Sequence, residues 1–289
     1  MHRIQHTDSR LSGQVTRGKT APNRLRSSDH FLASYDPSLL KQYDGAFARA
    51  LYVDLGYGSE PVTTVESAAR LRRVNPMLPV LGVEISPERV ENAQRWAGKG
   101  ISFRLGGFNL PLQRRSGGDG ETVRLLRAFN VLRQYEESEV EPAYDLLASQ
   151  VLPGGLIVDG TSDPYGRVWT ANLLRVGPDG TWHLEALVLG SNFRGELDPE
   201  AFQTRLPKCF IHRAVPGDPV LELIEDWRAV TRDTRGSSVW GPRAWFTAAG
   251  NLLAARGRAV TQPGRWLRRG WLVLAEPGLS LRPTTDPEN

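Results

Sequence analysis

The sequence predicts an α/β fold: a doubly wound, mostly parallel sheet with a basic N-terminal arm and a C-terminal elaboration. Three observations carry this. Five short apolar runs alternate with helical stretches, the pattern of right-handed strand–helix–strand crossovers. The first run ends in an acid and a glycine turn, Asp54-Leu55-Gly56-Tyr57-Gly58, and the second closes on another acid, Glu84. Finally, the turn, Glu84, Gly106-Gly107-Phe108 and Phe129-Asn130-Val131-Leu132 all fall at predicted carboxyl ends of strands. Ligands of doubly wound sheets sit at that edge.

The elements follow in order. Residues 1–28 are polar, with Arg3, Arg10, Arg17, Lys19, Arg24 and Arg26, and are expected to form a mobile arm. Asp29 to Phe47 reads as one or two short helices whose Phe31, Leu32, Leu39, Leu40 and Tyr43 cover the sheet edge or a pocket mouth. Ala50 to Leu55 is strand one. Pro61 opens a helix running to Arg73, stopped by Asn75-Pro76. Val80 to Glu84 is strand two. Ser86-Pro87-Glu88 combines an N-cap, a first-turn proline and an acid at the positive helix end, and that helix runs to Ala97. Ile101 to Leu105 is strand three. The next crossover contains Pro111 and Gly117-Gly118-Asp119-Gly120 and is read as a loop or single turn.

Val123 to Phe129 is strand four and Glu139 to Val151 a helix. Pro153-Gly154-Gly155 is read as a turn before strand five, Leu156 to Asp159. Val168 to Arg175 and Trp182 to Leu189 alternate around Pro178-Asp179-Gly180, as in a hairpin. Helices are expected over Pro219 to Val230 and Pro242 to Ala255. The run Trp271 to Ala275 is read as a closing strand, within about 270–276. The expected organisation is an arm (1–28), a ligand-binding core (29–190) and an extension (191–289).

Composition narrows the function. The single cysteine, Cys209, excludes an intrachain disulfide and a multi-cysteine zinc site, and no His/Asp/Glu spacing suggests a metal. No apolar run reaches the roughly 18 residues a membrane helix needs. Without an apolar leader, the cytoplasm is the expected compartment. The net charge is +4, with the excess in the flanks: residues 201–289 carry 13 basic and 8 acidic side chains. Arg256, Arg258, Arg265, Arg268 and Arg269 with Trp266 and Trp271 read either as an RNA- or phosphate-facing patch or as a solvated face over inward-packed rings. Isolated His183 and His212 read as structural.

The glycine turn plus a strand-closing acid is how such sheets build a nucleoside pocket: glycine lets the backbone approach, and the acid accepts hydrogen bonds from ribose hydroxyls. A dinucleotide fits less well. Pro61 fills the third glycine slot, and Glu84 follows Asp54 by 30 residues rather than about 20.

Over residues 45–190 the chain resembles the class I S-adenosylmethionine-dependent methyltransferases. Residues 53–60 are similar to that family's first motif. Leu152-Pro153-Gly154-Gly155 is similar to its turn before strand five. The resemblance implies a methyltransferase with S-adenosylmethionine as cofactor. Asp54, Gly56, Tyr57 and Gly58 would place the methionyl part, Glu84 and Ile85 the ribose, and Gly107 and Phe108 the adenine. Asn130 would face the transferred methyl as the acceptor-side catalytic candidate, and Tyr135 and Glu136 are candidates to line the acceptor site. The chain departs from the family at Glu60, in place of a third glycine, and at Gly107, in place of an acid. These departures support the alternative, a methyltransferase-like binding or regulatory protein without turnover. The loop at Asn130 lacks an Asn/Asp-Pro-Pro-aromatic pattern, which favours a small-molecule acceptor over RNA.

Overall fold

The computed structural model describes residues 13–14, 21–114, 120–275 and 277–279. Eight strands form one sheet: β1 (Leu51–Leu55), β2 (Val80–Glu84), β3 (Ile101–Leu105), β4 (Val123–Phe129), β5 (Val151–Ser162), β6 (Val168–Val176), β7 (Trp182–Ser191) and β8 (Trp271–Leu274). Their spatial order is 3-2-1-4-5-6-7-8. β3, β2, β1, β4 and β5 run parallel. From β5 onward each neighbour is antiparallel. The doubly wound half therefore passes into a meander whose last strand arrives from the end of the chain.

Parallel strands bury both faces and need apolar side chains on each. Val53 and Leu55 of β1 face one core with Leu81, Val83, Leu126 and Ile157. Tyr52 of β1 faces the other with Leu125, Leu156 and Val158. The first core is covered by α5 (Glu137–Ala148), through Val140, Tyr144 and Leu147. The second is covered by α1 (Arg26–Tyr35), α2 (Pro37–Lys41) and α3 (Val62–Leu71). α4 (Pro87–Ala93) packs beside β2 and β3, with Ser86 capping it as its sequence implies. Beyond β7, the short α6 (Glu200–Gln203) and α7 (Lys208–Ile211) lead to α8 (Pro219–Asp233), α9 (Pro242–Ala255) and α10 (Pro263–Trp266). α8 and α9 bury Leu223, Trp227, Phe246 and Leu253 against Leu187, Leu189 and Leu272, a third core.

Several boundaries differ from the sequence reading. α1 begins at Arg26, inside the expected arm, because Leu25 is buried and the Arg24 side chain donates to the Ser162 and Asp163 carbonyls at 2.9 and 3.0 Å. Apart from Gly13 and Gln14, residues 1–20 lie outside the described residues. α5 starts at Glu137, two residues early, because Glu136 and Glu139 form a reciprocal capping box. The expected turn at Pro153-Gly154-Gly155 lies within β5, where pairing jumps from Val123↔Val151 to Leu125↔Leu156. That register shift absorbs the positive φ of Gly154 without ending the strand. Among the described residues, no helix is long and apolar enough to cross a membrane.

Candidate functional site

The carboxyl ends of β1, β2, β3 and β4 enclose a narrow cleft of about 250 Å3, part of it open to solvent. Its wall takes Leu55 and Gly56 from the turn after β1, Glu84 and Ile85 from the end of β2, and Gly106, Gly107 and Phe108 from the loop after β3. Val131 and Tyr135 close it on the β4 side. Gly56 and Gly58 hold left-handed φ values of 69° and 88°, which a side chain disfavours, so glycine is what allows this turn. The Phe108 ring packs on Tyr135 at 5.0 Å and leaves an apolar wall.

Of the sequence-predicted residues, Gly56, Glu84, Ile85, Gly107 and Phe108 meet here, and Asp54, Tyr57, Gly58 and Asn130 do not. Asp54 faces a buried ionic cluster instead. Its carboxylate accepts from Thr64 Oγ1 at 2.6 Å and from Arg127 Nε at 3.0 Å. Arg127 is fully buried in β4 and also bonds Asp29 and Ser67, and Asp29 takes Arg70 Nη1 at 2.6 Å. Burial opposes the charge on Arg127, but Asp54 and Asp29 outweigh it and hold the guanidinium above its ordinary value. Tyr57 turns away, with its ring edge-on to Phe103 at 5.4 Å in a small apolar cluster.

Gly58 lends its N–H to Glu84 Oε2 at 3.0 Å. Asn130, with a left-handed φ of 59°, spends its side-chain oxygen on the Ser162 N–H at 3.1 Å and so ties β4 to β5. Glu60 is exposed and off the cleft wall.

Glu84 is nearly fully buried and heavily engaged. Beyond Gly58, it accepts from the N–H groups of Ile85 at 3.0 Å and Ser86 at 3.3 Å, with Arg89 Nη1 3.6 Å away. Three backbone hydrogen bonds and the nearby guanidinium engage most of the carboxylate's roughly four lone-pair directions. A ribose hydroxyl therefore competes with these groups.

Gly13 and Gln14 also line the cleft, a contribution no motif signals. The Gln14 N–H donates to the Tyr135 hydroxyl. A Cβ on Gly13 would lie 2.9 Å from Ile85 Cδ1 and 3.6 Å from Gly107 Cα. The cleft volume falls below the roughly 300–1,000 Å3 of typical small-molecule sites, with Gly13 and Gln14 on its wall.

The tail patch resolves largely toward a solvated face. Trp266 and Trp271 are buried and pack around Phe31 at 6.1 and 5.4 Å. Arg256 pairs with Asp233 and Arg258 with Asp226. Cys209 sits against Asn172 Nδ2 at 3.1 Å, and burial pushes its thiol up to about 12, the behaviour of a structural cysteine.

No protein-family model and no curated protein matches the chain. Among solved structures, it is similar to LepI in complex with S-adenosylmethionine (TM-score 0.35, 18% identity, covering 50% of this chain and 33% of that one). It is also similar to magnesium protoporphyrin IX methyltransferase from Synechocystis PCC 6803 with bound S-adenosylhomocysteine (TM-score 0.33, 17% identity, covering 48% and 55%). A third is human N-acetylserotonin methyltransferase with S-adenosylmethionine (TM-score 0.30, 19% identity, covering 47% and 36%). The chain spans from a third to just over half of the length of these structures. In its strand order, its glycine turn and the acid closing β2, the chain resembles the class I S-adenosylmethionine-dependent methyltransferases.

Proposed function

We propose that the cleft takes S-adenosylmethionine and that the chain transfers its methyl group to a small-molecule acceptor. The observation that carries this is the convergence of the Gly56 turn, Glu84, Ile85, Gly107 and Phe108 at the carboxyl edge of parallel strands. Glu84 is the group for ribose hydroxyls, Phe108 the apolar contact for adenine, and the backbone at Gly56 the approach for the methionyl part. The cofactor brings an already activated methyl group. What the chain must supply is position and a dry wall. Leu55, Ile85, Phe108 and Val131 supply the wall.

Among the described lining residues the ionisable side chains are Glu84 and Tyr135, and burial raises the Tyr135 phenol above its ordinary value. The cleft therefore suits an acceptor atom that reacts without a strong protein base. In the tail patch, Trp266 and Trp271 are buried and offer no stacking platform for bases, which supports a small molecule over RNA.

The heavily engaged Glu84 carboxylate favours one second reading, a binding or regulatory protein on this fold without turnover. Calorimetric titration with S-adenosylhomocysteine tests the cofactor pocket, and methyl transfer to an acceptor separates the two. Micromolar binding weakened at least tenfold by both Glu84→Gln and Phe108→Ala, with cooperative unfolding retained, supports the cofactor reading. No binding by the wild-type chain at millimolar ligand removes it.

A further inference from the structure

A second concavity opens on the same edge of the sheet, beyond β5, with a volume of about 970 Å3 including space open to solvent. Its cations come from segments far apart in sequence: Arg26 of α1, Arg194 after β7, Arg243 of α9, and Arg269 before β8, with His30 of α1 beside them. Among the described residues, no carboxylate lines it. Among the described residues, none of these four arginines joins an ion pair, although the chain pairs Arg70, Arg104, Arg127, Arg175, Arg213 and Arg258 elsewhere.

Gathering like charges from distant segments opposes folding unless something offsets it. Arg26 and Arg243 moreover lie in the first turns of α1 and α9, the positive helix ends, where a cation is unfavourable. Two of the arginines are held in place. Arg243 lies over the Phe193 ring at 4.9 Å and donates to the Arg268 carbonyl at 2.9 Å. Arg269 lies over Trp271 at 5.8 Å and reaches Ser34 Oγ at 3.3 Å. The field registers on His30, whose imidazole is pushed below its ordinary value by burial and then by Arg26 and Arg70.

We propose that this basin binds the phosphate groups of a small phosphorylated ligand. Guanidinium forks match phosphate oxygens two at a time, and four of them suit more than one negative charge. Tyr165, 70% exposed and with Arg167 over its ring at 5.2 Å, lines the basin as an aromatic neighbour for the organic part. The cations ring a concavity rather than forming a stripe, and the neighbouring tryptophans are buried, which separates this site from a single-strand RNA surface. No described residue lines both the cleft and the basin, so the test of this site does not depend on methyl transfer.

The test is calorimetric titration of the full chain with sodium pyrophosphate at low salt, for wild type, Arg26→Gln, Arg194→Gln and a control, Arg232→Gln, on the exposed surface of α8. The expected result is a wild-type Kd below about 1 mM, about tenfold weaker in Arg26→Gln and in Arg194→Gln, and unchanged in the control. Unchanged binding in the two basin variants overturns the proposal, as does no detectable wild-type binding. A single-stranded oligoribonucleotide whose salt-sensitive binding is lost in Arg26→Gln and Arg194→Gln, while pyrophosphate binding is not, also overturns it, in favour of an RNA surface.

Discussion

The parallel and antiparallel halves of the sheet are assembled differently, and each makes a different kind of site. In the parallel half, each strand is covered by elements close to it in sequence, and the turns leaving it deliver small residues to one edge. The product is a tight cleft with one carboxylate. In the antiparallel half, β5, β6 and β7 are joined by short turns, but their cover, α8 and α9, comes later, and β8 returns after both. The product is a wide basin of cations drawn from distant segments. Nearby chain yields backbone-lined sites with recognisable turns, whereas long returns yield side-chain sites that leave no motif.

The largest effect should come from the charge buried in the parallel half. Arg127→Met leaves Asp29 and Asp54 without their shared cation and should cost about 3–5 kcal/mol in urea unfolding. A loss under about 1 kcal/mol would mean the triad does not hold β1, β4 and α1 together.

Asp159 lies where the halves join. It is fully buried in β5, its carboxylate accepts from Tyr144 Oη at 2.6 Å, and burial pushes its pKa up to about 7. The folded state then holds this proton more tightly than the unfolded chain, where the reference is 3.8. Stability should therefore be fully retained below about pH 4 and fall by about 4 kcal/mol as pH rises toward 7, levelling above it. Asp159→Asn should remove that slope. Unfolding at pH 5 and pH 8 checks it, and an unchanged slope assigns the dependence elsewhere.

Gly250 lets α9 approach Leu267, whose Cδ2 lies 2.4 Å from where a Cβ would stand. Gly250→Ala should cost about 1–3 kcal/mol by thermal unfolding. A neutral result would mean the helical layer repacks freely. In the cleft, Tyr135→Phe frees the Gln14 N–H and should tighten S-adenosylhomocysteine binding by about fivefold, by calorimetry, if Gly13 and Gln14 obstruct the ligand. Weaker binding would assign the hydroxyl to the ligand instead. The smallest change is expected from Arg256→Gln, whose partner Asp233 is equally exposed. Less than about 1 kcal/mol should be lost in urea.

Much of the parallel half was legible because its signals are short-range. β2 and β3 have the limits the sequence implies, since each is bounded by glycine, proline or an acid, and β4 keeps its expected limits between Thr122 and Asn130. α4 was announced by Ser86 and Pro87, and α9 by Pro242. β5 was shortened because Pro153-Gly154-Gly155 reads as a turn, and only pairing with β4 and β6 shows the strand continuing through it.

The site divided along the same line. Gly56, Glu84, Ile85, Gly107 and Phe108 reach the cleft because strand ends put them there. Asp54 was assigned to a ligand because nothing near it in sequence shows that Arg127 lies against it.

By itself, then, the sequence determined the alternation of strands and helices, the glycine turn and the acid closing β2. These depend on periodicity and turn chemistry within a few residues. Tertiary structure alone decided that Arg127 lies between Asp54 and Asp29, that Glu84 is engaged by its own backbone neighbours and Gly58, that Gly13 stands in the cleft, and that four arginines share one basin. Each of these is a distance between groups far apart along the chain, set by how the sheet and its covering helices pack.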